Sequence, residues 1–146
     1  MLSRRGTVSF GKGAMQPGMP QGFGTIGPDS TPVFGLPGNP VSALVSFEAF
    51  VRPAIRTMLG SEPILRPRVS AIADVALDSA EGKRSFLRVH LDVREGAYRV
   101  SPVSGPGSHL LAGMARANAL AIVPEDVTRV EAGQPVEVLV LERRGR

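Results

Sequence analysis

A tight turn between residues 37 and 40 constrains the fold of this chain more than any other feature of its sequence. It ends the short apolar run Pro32–Leu36, which predicts a buried strand, and it begins an amphipathic segment. Asn39 is a favourable helix N-cap, and Pro40 suits the first helical position because an N–H group is not needed there. Gly60 supplies the matching C-terminal stop. The order strand, tight turn, helix is an α/β element.

The segment after the turn carries its apolar side chains at helical spacing. One stripe of the predicted helix is formed by Leu44, Phe47, Val51, Ala54, Ile55 and Met58. Pro53 interrupts this pattern, because it removes one backbone hydrogen bond and clashes with the preceding turn. We therefore expect a kink at Pro53 or a division into two helices. Upstream, Val8 and Phe10 fit a short strand, whereas residues 13–24 contain too much glycine and proline for regular structure.

Beyond residue 62 the pattern changes to short strands. The turn-rich stretch Gly60–Pro67 marks the boundary. Two alternating runs around Glu95-Gly96 predict a β-hairpin. Further strand-like runs lie at residues 69–77, 119–123 and 136–140. About five strands at this spacing predict a small β-barrel or sandwich. We therefore expect residues 1–62 to be the end of an incomplete α/β domain and residues 63–146 to form a small all-β barrel or sandwich domain.

Composition excludes several classes of function. The chain has no cysteine, which rules out disulfides and thiolate metal sites and makes the cytoplasm the expected location. No apolar run approaches the roughly 20 residues that cross a bilayer, so no membrane association is expected. The net charge of +4 is concentrated at the two ends of the chain, so nucleic-acid binding is not expected. Neither His90 nor His109 has carboxylates at metal-ligand spacing.

The start of the predicted helix offers the best physical argument for a ligand. Its first backbone N–H groups and partial positive charge favour an anion. Gly38 would let that ligand approach the backbone closely, and Ser42 adds a hydroxyl in the first turn. Plain capping by Asn39 and Pro40 explains the same residues, and the residues alone leave both interpretations open. Gly6 to Lys12 matches part of a nucleotide phosphate loop, but neither the required hydroxyl nor the helix follows.

Several strings in this sequence resemble the C-terminal part of the MoeA and gephyrin-E family of molybdopterin molybdenumtransferases. The most specific is Gly35–Ser42, which reads GLPGNPVS, and it follows the similar segments Phe10–Pro20 and Phe23-Gly24. Further strings are similar to the family's C-terminal β-barrel domain, namely Ser85–Arg88, Gly107-Ser108 and Ala117–Leu120. The resemblance covers nearly the whole chain. It implies that residues 1–62 are the C-terminal part of a molybdopterin-binding α/β domain and that residues 63–146 are the barrel domain.

The resemblance also implies a reaction, in which molybdate is inserted into adenylylated molybdopterin and AMP is released. Magnesium is the implied cofactor, with its ligands expected upstream of this chain. The implied pterin-phosphate pocket is lined by Lys12, Pro37, Gly38, Asn39, Pro40 and Ser42. Arg88 and Ser108 correspond to positions that the family uses at or near its catalytic cleft. The full-length family protein is implied to be a homodimer.

Three positions depart from the family pattern, and one of them is Ala119, where members often have glycine. Met19 and Gln16 stand where many members carry basic residues, so two cationic contacts to an anionic substrate are missing. The acidic and glycine-rich segments of the family also have no counterpart in this sequence, so we expect the chain to be incomplete for catalysis. The alternative is a non-catalytic β-barrel interaction module, or a fragment without activity of its own.

Overall fold

A computed structural model describes residues 6–103 and 116–141. Two helices, α1 (Pro40–Ser46) and α2 (Arg52–Met58), are joined by a π-helical turn at Phe47–Val51. The strands are β1 (Ser9–Lys12), β2 (Met15–Gln16), β3 (Pro20–Ile26), β4 (Thr31–Gly35), β5 (Arg68–Ala73), β6 (Leu77–Asp78), β7 (Arg84–Arg94), β8 (Ala97–Pro102), β9 (Ala119–Val123), β10 (Arg129–Val130) and β11 (Pro135–Val140). Neither of the helices in the described ranges is long and apolar enough to cross a membrane.

The contacts divide the chain into two compact units. Unit 1 contains Met1–Gly13 and Pro17–Ile64, and unit 2 contains Ala14–Gln16 and Leu65–Arg146. The short strand β2 belongs to unit 2 because it pairs in parallel with the beginning of β7. Nothing in the sequence indicated this pairing, since β2 has only two residues and lies in a segment rich in glycine and proline.

Unit 1 contains an antiparallel sheet in the order β1-β3-β4. The expectation that residues 13–24 lack regular structure was wrong, because β3 begins at Pro20 and forms the centre of this sheet. Its glycines allow close approach of neighbouring chain. A Cβ atom on Gly24 would lie 2.4 Å from the Thr7 carbonyl oxygen, and one on Gly22 would lie 2.6 Å from the Phe10 ring. Close packing of the backbone therefore outweighs the low strand propensity of glycine.

Strand β4 confirms the predicted strand before the turn but not its burial. Within the described residues it pairs only with β3, so it is an edge strand there, and its residues are exposed or half-buried. An edge position suits Pro32, which cannot donate a hydrogen bond to a second neighbour.

The helical segment begins and ends where the sequence predicts. Asn39 caps α1, and Gly60 adopts a φ of 61° just after α2. The Gly60 N–H donates to the Thr57 carbonyl at 3.1 Å, and the Ser61 N–H donates to the Arg56 carbonyl at 2.9 Å. This pair of hydrogen bonds is a Schellman motif.

The predicted division near Pro53 is also present, because the π-helical turn ends just before this residue. The predicted apolar stripe, however, does not form a buried face in unit 1. Phe47 is 37% exposed, Ile55 40% and Met58 61%, whereas the buried side chains of α1 include Val41 and Val45. Among the described residues, helix α2 has no buried side chain, so the exposure of Ile55 and Met58 does not depend on which face of the helix they occupy.

Unit 2 is built on a closed five-stranded barrel. The strands follow the order β7-β8-β5-β11-β9, and β9 pairs again with β7 to close the ring. This confirms the predicted barrel. Its interior is filled by small and β-branched side chains, including Ala71, Ala73, Val89, Val100, Ala121 and Val138. The predicted hairpin is β7-β8, whose two-residue turn has φ values of 53° at Glu95 and 77° at Gly96.

Candidate functional site

Lys12 and the turn before α1 lie at the same end of the unit 1 sheet. Lys12 is the last residue of β1 and pairs with Pro20, at the start of β3. Gly35 is the last residue of β4 and pairs with Gly22. Because β1 and β4 both run antiparallel to β3, they run in the same direction. Their last residues therefore lie at the same end of the sheet, beside the start of β3. The structure thus brings the exposed Lys12 and the turn at residues 36–39 to one end of the sheet.

The hydrogen bonds at the start of α1 are largely used by the cap. The Asn39 side-chain oxygen accepts from the backbone N–H groups of Val41 at 3.0 Å and Ser42 at 3.3 Å. The Ala43 N–H donates to the Asn39 carbonyl at 2.8 Å, and Pro40 has no N–H. The first helical turn therefore does not present the row of open donors that the sequence suggested for an anion. Of the two interpretations, these bonds favour capping for Asn39.

Gly38 in this turn faces open space. It is exposed, and a Cβ atom added there would meet nothing within 4 Å. Its backbone is also outside the left-handed region that favours glycine. Neither packing nor conformation within the chain requires a glycine at this position. The open space leaves the backbone of the turn accessible to a ligand.

The capping role of Asn39 gives a first testable prediction. Asn39→Ala should lower the free energy of unfolding of unit 1 by about 1 kcal/mol, because the two bonded N–H groups lose their acceptor. Hydrogen exchange at residues 40–46, followed by mass spectrometry, would measure this change. Asn39→Asp keeps the acceptor oxygen and should retain nearly all of the stability. Equal exchange in Asn39→Ala and the unmodified protein would contradict the capping role.

Of the two site residues predicted in the barrel domain, Arg88 lies within the described residues and Ser108 does not. Arg88 lies in β7 between Leu87 and Val89, which contact the barrel core, so its half-buried side chain points away from that core. Its carbonyl accepts a hydrogen bond from the Val103 N–H at 3.0 Å. Ser108 lies outside the described residues. The structure places Arg88 and the turn before α1 in different units.

A charged cluster that the sequence did not reveal lies on unit 2. Asp74 accepts a hydrogen bond from the Arg99 guanidinium at 2.7 Å and another from Arg94. Arg94 also pairs with Asp92 at 3.1 Å. The hydrogen bond from Arg99, reinforced by Arg94, lowers the pKa of the Asp74 carboxyl below its ordinary value despite some desolvation. These charges bond to one another, so the cluster links the end of β5 to the β7-β8 hairpin.

Residues 6–103 and 116–141 contain no group of three or more histidine, cysteine, aspartate or glutamate side chains arranged to hold a metal ion. These residues therefore do not fit a magnesium site.

Comparison with known families matches both units. Residues 4–57 match a family described as a probable molybdopterin binding domain, and residues 70–141 match the MoeA C-terminal region, domain IV. The chain is 49% identical over 131 residues to molybdopterin molybdenumtransferase 2 of Mycobacterium tuberculosis, covering 90% of this chain and 31% of that protein. It is 43% identical over 150 residues to molybdopterin molybdenumtransferase 1 of the same organism, covering 99% and 35% respectively.

A solved structure supports the same assignment. The molybdopterin biosynthesis MoeA protein from Pyrococcus horikoshii superimposes with a TM-score of 0.80 at 31% sequence identity, covering 97% of this chain and 34% of that chain. The chain spans about a third of the length of the curated relatives it matches.

These findings define the class of protein. Its members combine a molybdopterin-binding domain, of which this chain has a segment, with a C-terminal domain that is a closed β-barrel here. The chain belongs to the MoeA family and corresponds to its C-terminal portion. The resemblance first seen in the Gly35–Ser42 string is therefore confirmed.

Proposed function

We propose that this chain acts in molybdenum-cofactor synthesis, as the C-terminal part of a molybdopterin molybdenumtransferase. The reaction inserts molybdate into adenylylated molybdopterin and releases AMP. The observation that carries this proposal is the convergence of Lys12 and the family-specific turn at one end of the unit 1 sheet. Both relatives from Mycobacterium tuberculosis carry the name of this activity.

In this proposal, unit 1 binds the anionic part of the pterin substrate. The exposed ammonium group of Lys12 supplies a positive charge for a phosphate oxygen. Pro37 and Pro40 restrict the backbone of the turn, so little conformational entropy is lost when the ligand binds. The ligand approaches over the open face of Gly38, and the Ser42 hydroxyl provides a further hydrogen bond. Asn39 acts indirectly, because its side-chain oxygen is used to hold the helix start.

In unit 2, Arg88 and Ser108 are proposed to contribute to binding an oxyanion such as molybdate or phosphate. A guanidinium group is suited to this role because its planar array of donors matches two oxygens at once. We propose that magnesium is required for the reaction and is held by residues other than the described ones, which offer no suitable ligand cluster. A homodimer and a cytoplasmic location complete the proposal, and the absence of cysteine agrees with a reducing compartment.

Lys12 provides the direct test of the proposed site. Lys12→Ala in the purified protein should raise the dissociation constant for molybdopterin about tenfold, which corresponds to the loss of one charged hydrogen bond. Isothermal titration calorimetry under anaerobic conditions would measure the constant. Lys12→Arg keeps the charge and should lose less affinity.

Lys83 supplies a matched control, because it is the other lysine of the chain and lies in unit 2. Lys83→Ala should leave the dissociation constant within about twofold of the original value. Equal losses in both variants would point to a general charge effect and against a site at Lys12. If the unmodified protein does not bind molybdopterin, the transferase proposal is wrong and a non-catalytic barrel module becomes the better account.

A further inference from the structure

A polar connection joins the turn before β3 to helix α1. The side-chain amide nitrogen of Gln21 donates to the Gly18 carbonyl oxygen at 2.5 Å and to the Ser46 hydroxyl oxygen at 2.6 Å. A primary amide has two N–H groups, and these two bonds use both of them. Gln21 is half-buried, and Ser46 is fully buried within α1. One side chain therefore links segments that are 25 residues apart in sequence.

The turn at residues 17–20 is held from its other side as well. The Gly13 N–H donates to the Met19 carbonyl at 2.7 Å, directly after the end of β1. Gly18 has a φ of 99°, in the left-handed region that favours glycine, so its carbonyl direction depends on this residue type. The turn is thus attached to the strand that carries Lys12 through Gly13, and to helix α1 through Gln21.

Ser46 connects Gln21 to the same helix that follows the family-specific turn at residues 36–39. Ser46 is the last residue of α1, and Asn39 caps the first residue of the same seven-residue helix. Any movement of α1 relative to β1 would therefore alter the distance between Lys12 and the turn at residues 36–39. Burying a hydroxyl and an amide costs desolvation energy that an apolar pair would avoid. A buried polar pair, unlike an apolar one, fixes a single geometry through directional bonds.

We propose that Gln21 is a positioning residue, which holds the turn at residues 17–20 and helix α1 in one fixed arrangement. The two segments that flank the proposed phosphate pocket then meet the ligand as a preformed surface. This inference rests on the proposed function, and it adds a residue that contacts no ligand but sets the geometry of those that do. A preformed site binds more tightly because less ordering is needed on binding.

Gln21→Met tests this role, because methionine has a similar size and no donor groups. In the ligand-free protein, the backbone amides of residues 13–21 should exchange with solvent faster than in the unmodified protein. The dissociation constant for molybdopterin should rise about tenfold, as expected for the loss of one or two buried hydrogen bonds. Ser46→Ala should give a smaller rise, because Gln21 then keeps its bond to Gly18. Gln134→Met, at an exposed position of unit 2, is the matched control and should change neither quantity.

The combined outcomes separate the two proposals. Faster exchange with an unchanged dissociation constant would show that the connection is only structural and overturn the positioning role. Unchanged exchange would overturn the connection itself. If the unmodified protein fails to bind molybdopterin, the proposed function is wrong and the positioning role is wrong with it. If the unmodified protein binds and Gln21→Met binds equally well, only the positioning role is overturned.

Discussion

Gly24→Ala should lower the free energy of unfolding of unit 1 by about 3 kcal/mol, the upper part of the range for an overpacked interior position. The added methyl group would lie 2.4 Å from both the Thr7 carbonyl oxygen and the Val8 Cα atom. Both are backbone atoms, so no side-chain rotation relieves the clash. The neighbouring chain must move away from β3, which disrupts the backbone hydrogen bond from Thr7 to Thr25.

Hydrogen exchange of peptides from residues 6–35 would measure this loss, because it reports on unit 1 separately from the barrel. Gly11→Ala is the matched control. It lies in the same sheet, on β1, and an added Cβ atom would meet nothing within 4 Å. Its effect should stay within about 0.5 kcal/mol. If Gly24→Ala and Gly11→Ala exchange alike, close packing is not the reason that β3 contains glycine.

Local rules predicted the ends of elements well. The Asn39 cap, the Gly60 stop and the turn at Glu95-Gly96 depend on residues within a few positions of one another. Such features are set by the conformational limits of single residues, so a sequence contains all the information needed. The strands of unit 2 were predicted for a related reason, since alternation along each strand shows which side faces the core. The pattern left a barrel and a sandwich both open, and the family resemblance implied the barrel.

Features that depend on distant residues were missed or misjudged. Gly24 looked like a breaker because the sequence does not show that Thr7 and Val8 approach it. The apolar stripe was misjudged because a sequence does not show which helix face other parts of the chain cover, and none of the side chains of α2 is buried among the described residues. The two-residue strand β2 depends entirely on its partner β7. Each error arose where tertiary contacts outweighed local propensity.

The candidate site shows the same division. The turn and Lys12 were predicted as site residues because they lie in two segments that resemble the family, and this assignment stays a prediction. The use of helix N–H groups by Asn39 required the structure. Gln21 had no sequence signal, since its partner Ser46 lies far along the chain. A half-buried polar residue beside a strand start is only recognisable once both partners are placed.

One asparagine side chain extends the pairing of β7 with β9, where the barrel closes. The Asn118 side-chain oxygen accepts from the Leu91 N–H at 2.7 Å, and its amide nitrogen donates to the Leu91 carbonyl at 2.8 Å. These bonds extend the β7-β9 ladder beyond its last backbone pair, Val89 and Ala119. The Asn118 carbonyl also accepts from the Leu141 N–H at 3.0 Å. Asn118 therefore lies where β9 completes the ring between β7 and β11.

Asn118→Ala should lower the free energy of unfolding of the barrel by about 3 kcal/mol, because both backbone groups of Leu91 lose their partner. Hydrogen exchange of the Leu91 amide, measured at increasing denaturant concentration, would give this change in the free energy of unfolding. The Leu91 amide should be the first to lose its protection. Asn118→Asp keeps an acceptor for the N–H but sets a carboxylate against the Leu91 carbonyl, so it should also destabilise. Asn39→Ala makes the same chemical change in unit 1 and should leave the Leu91 amide protected. A protected Leu91 amide in Asn118→Ala would mean that the ladder closes the barrel without this side chain.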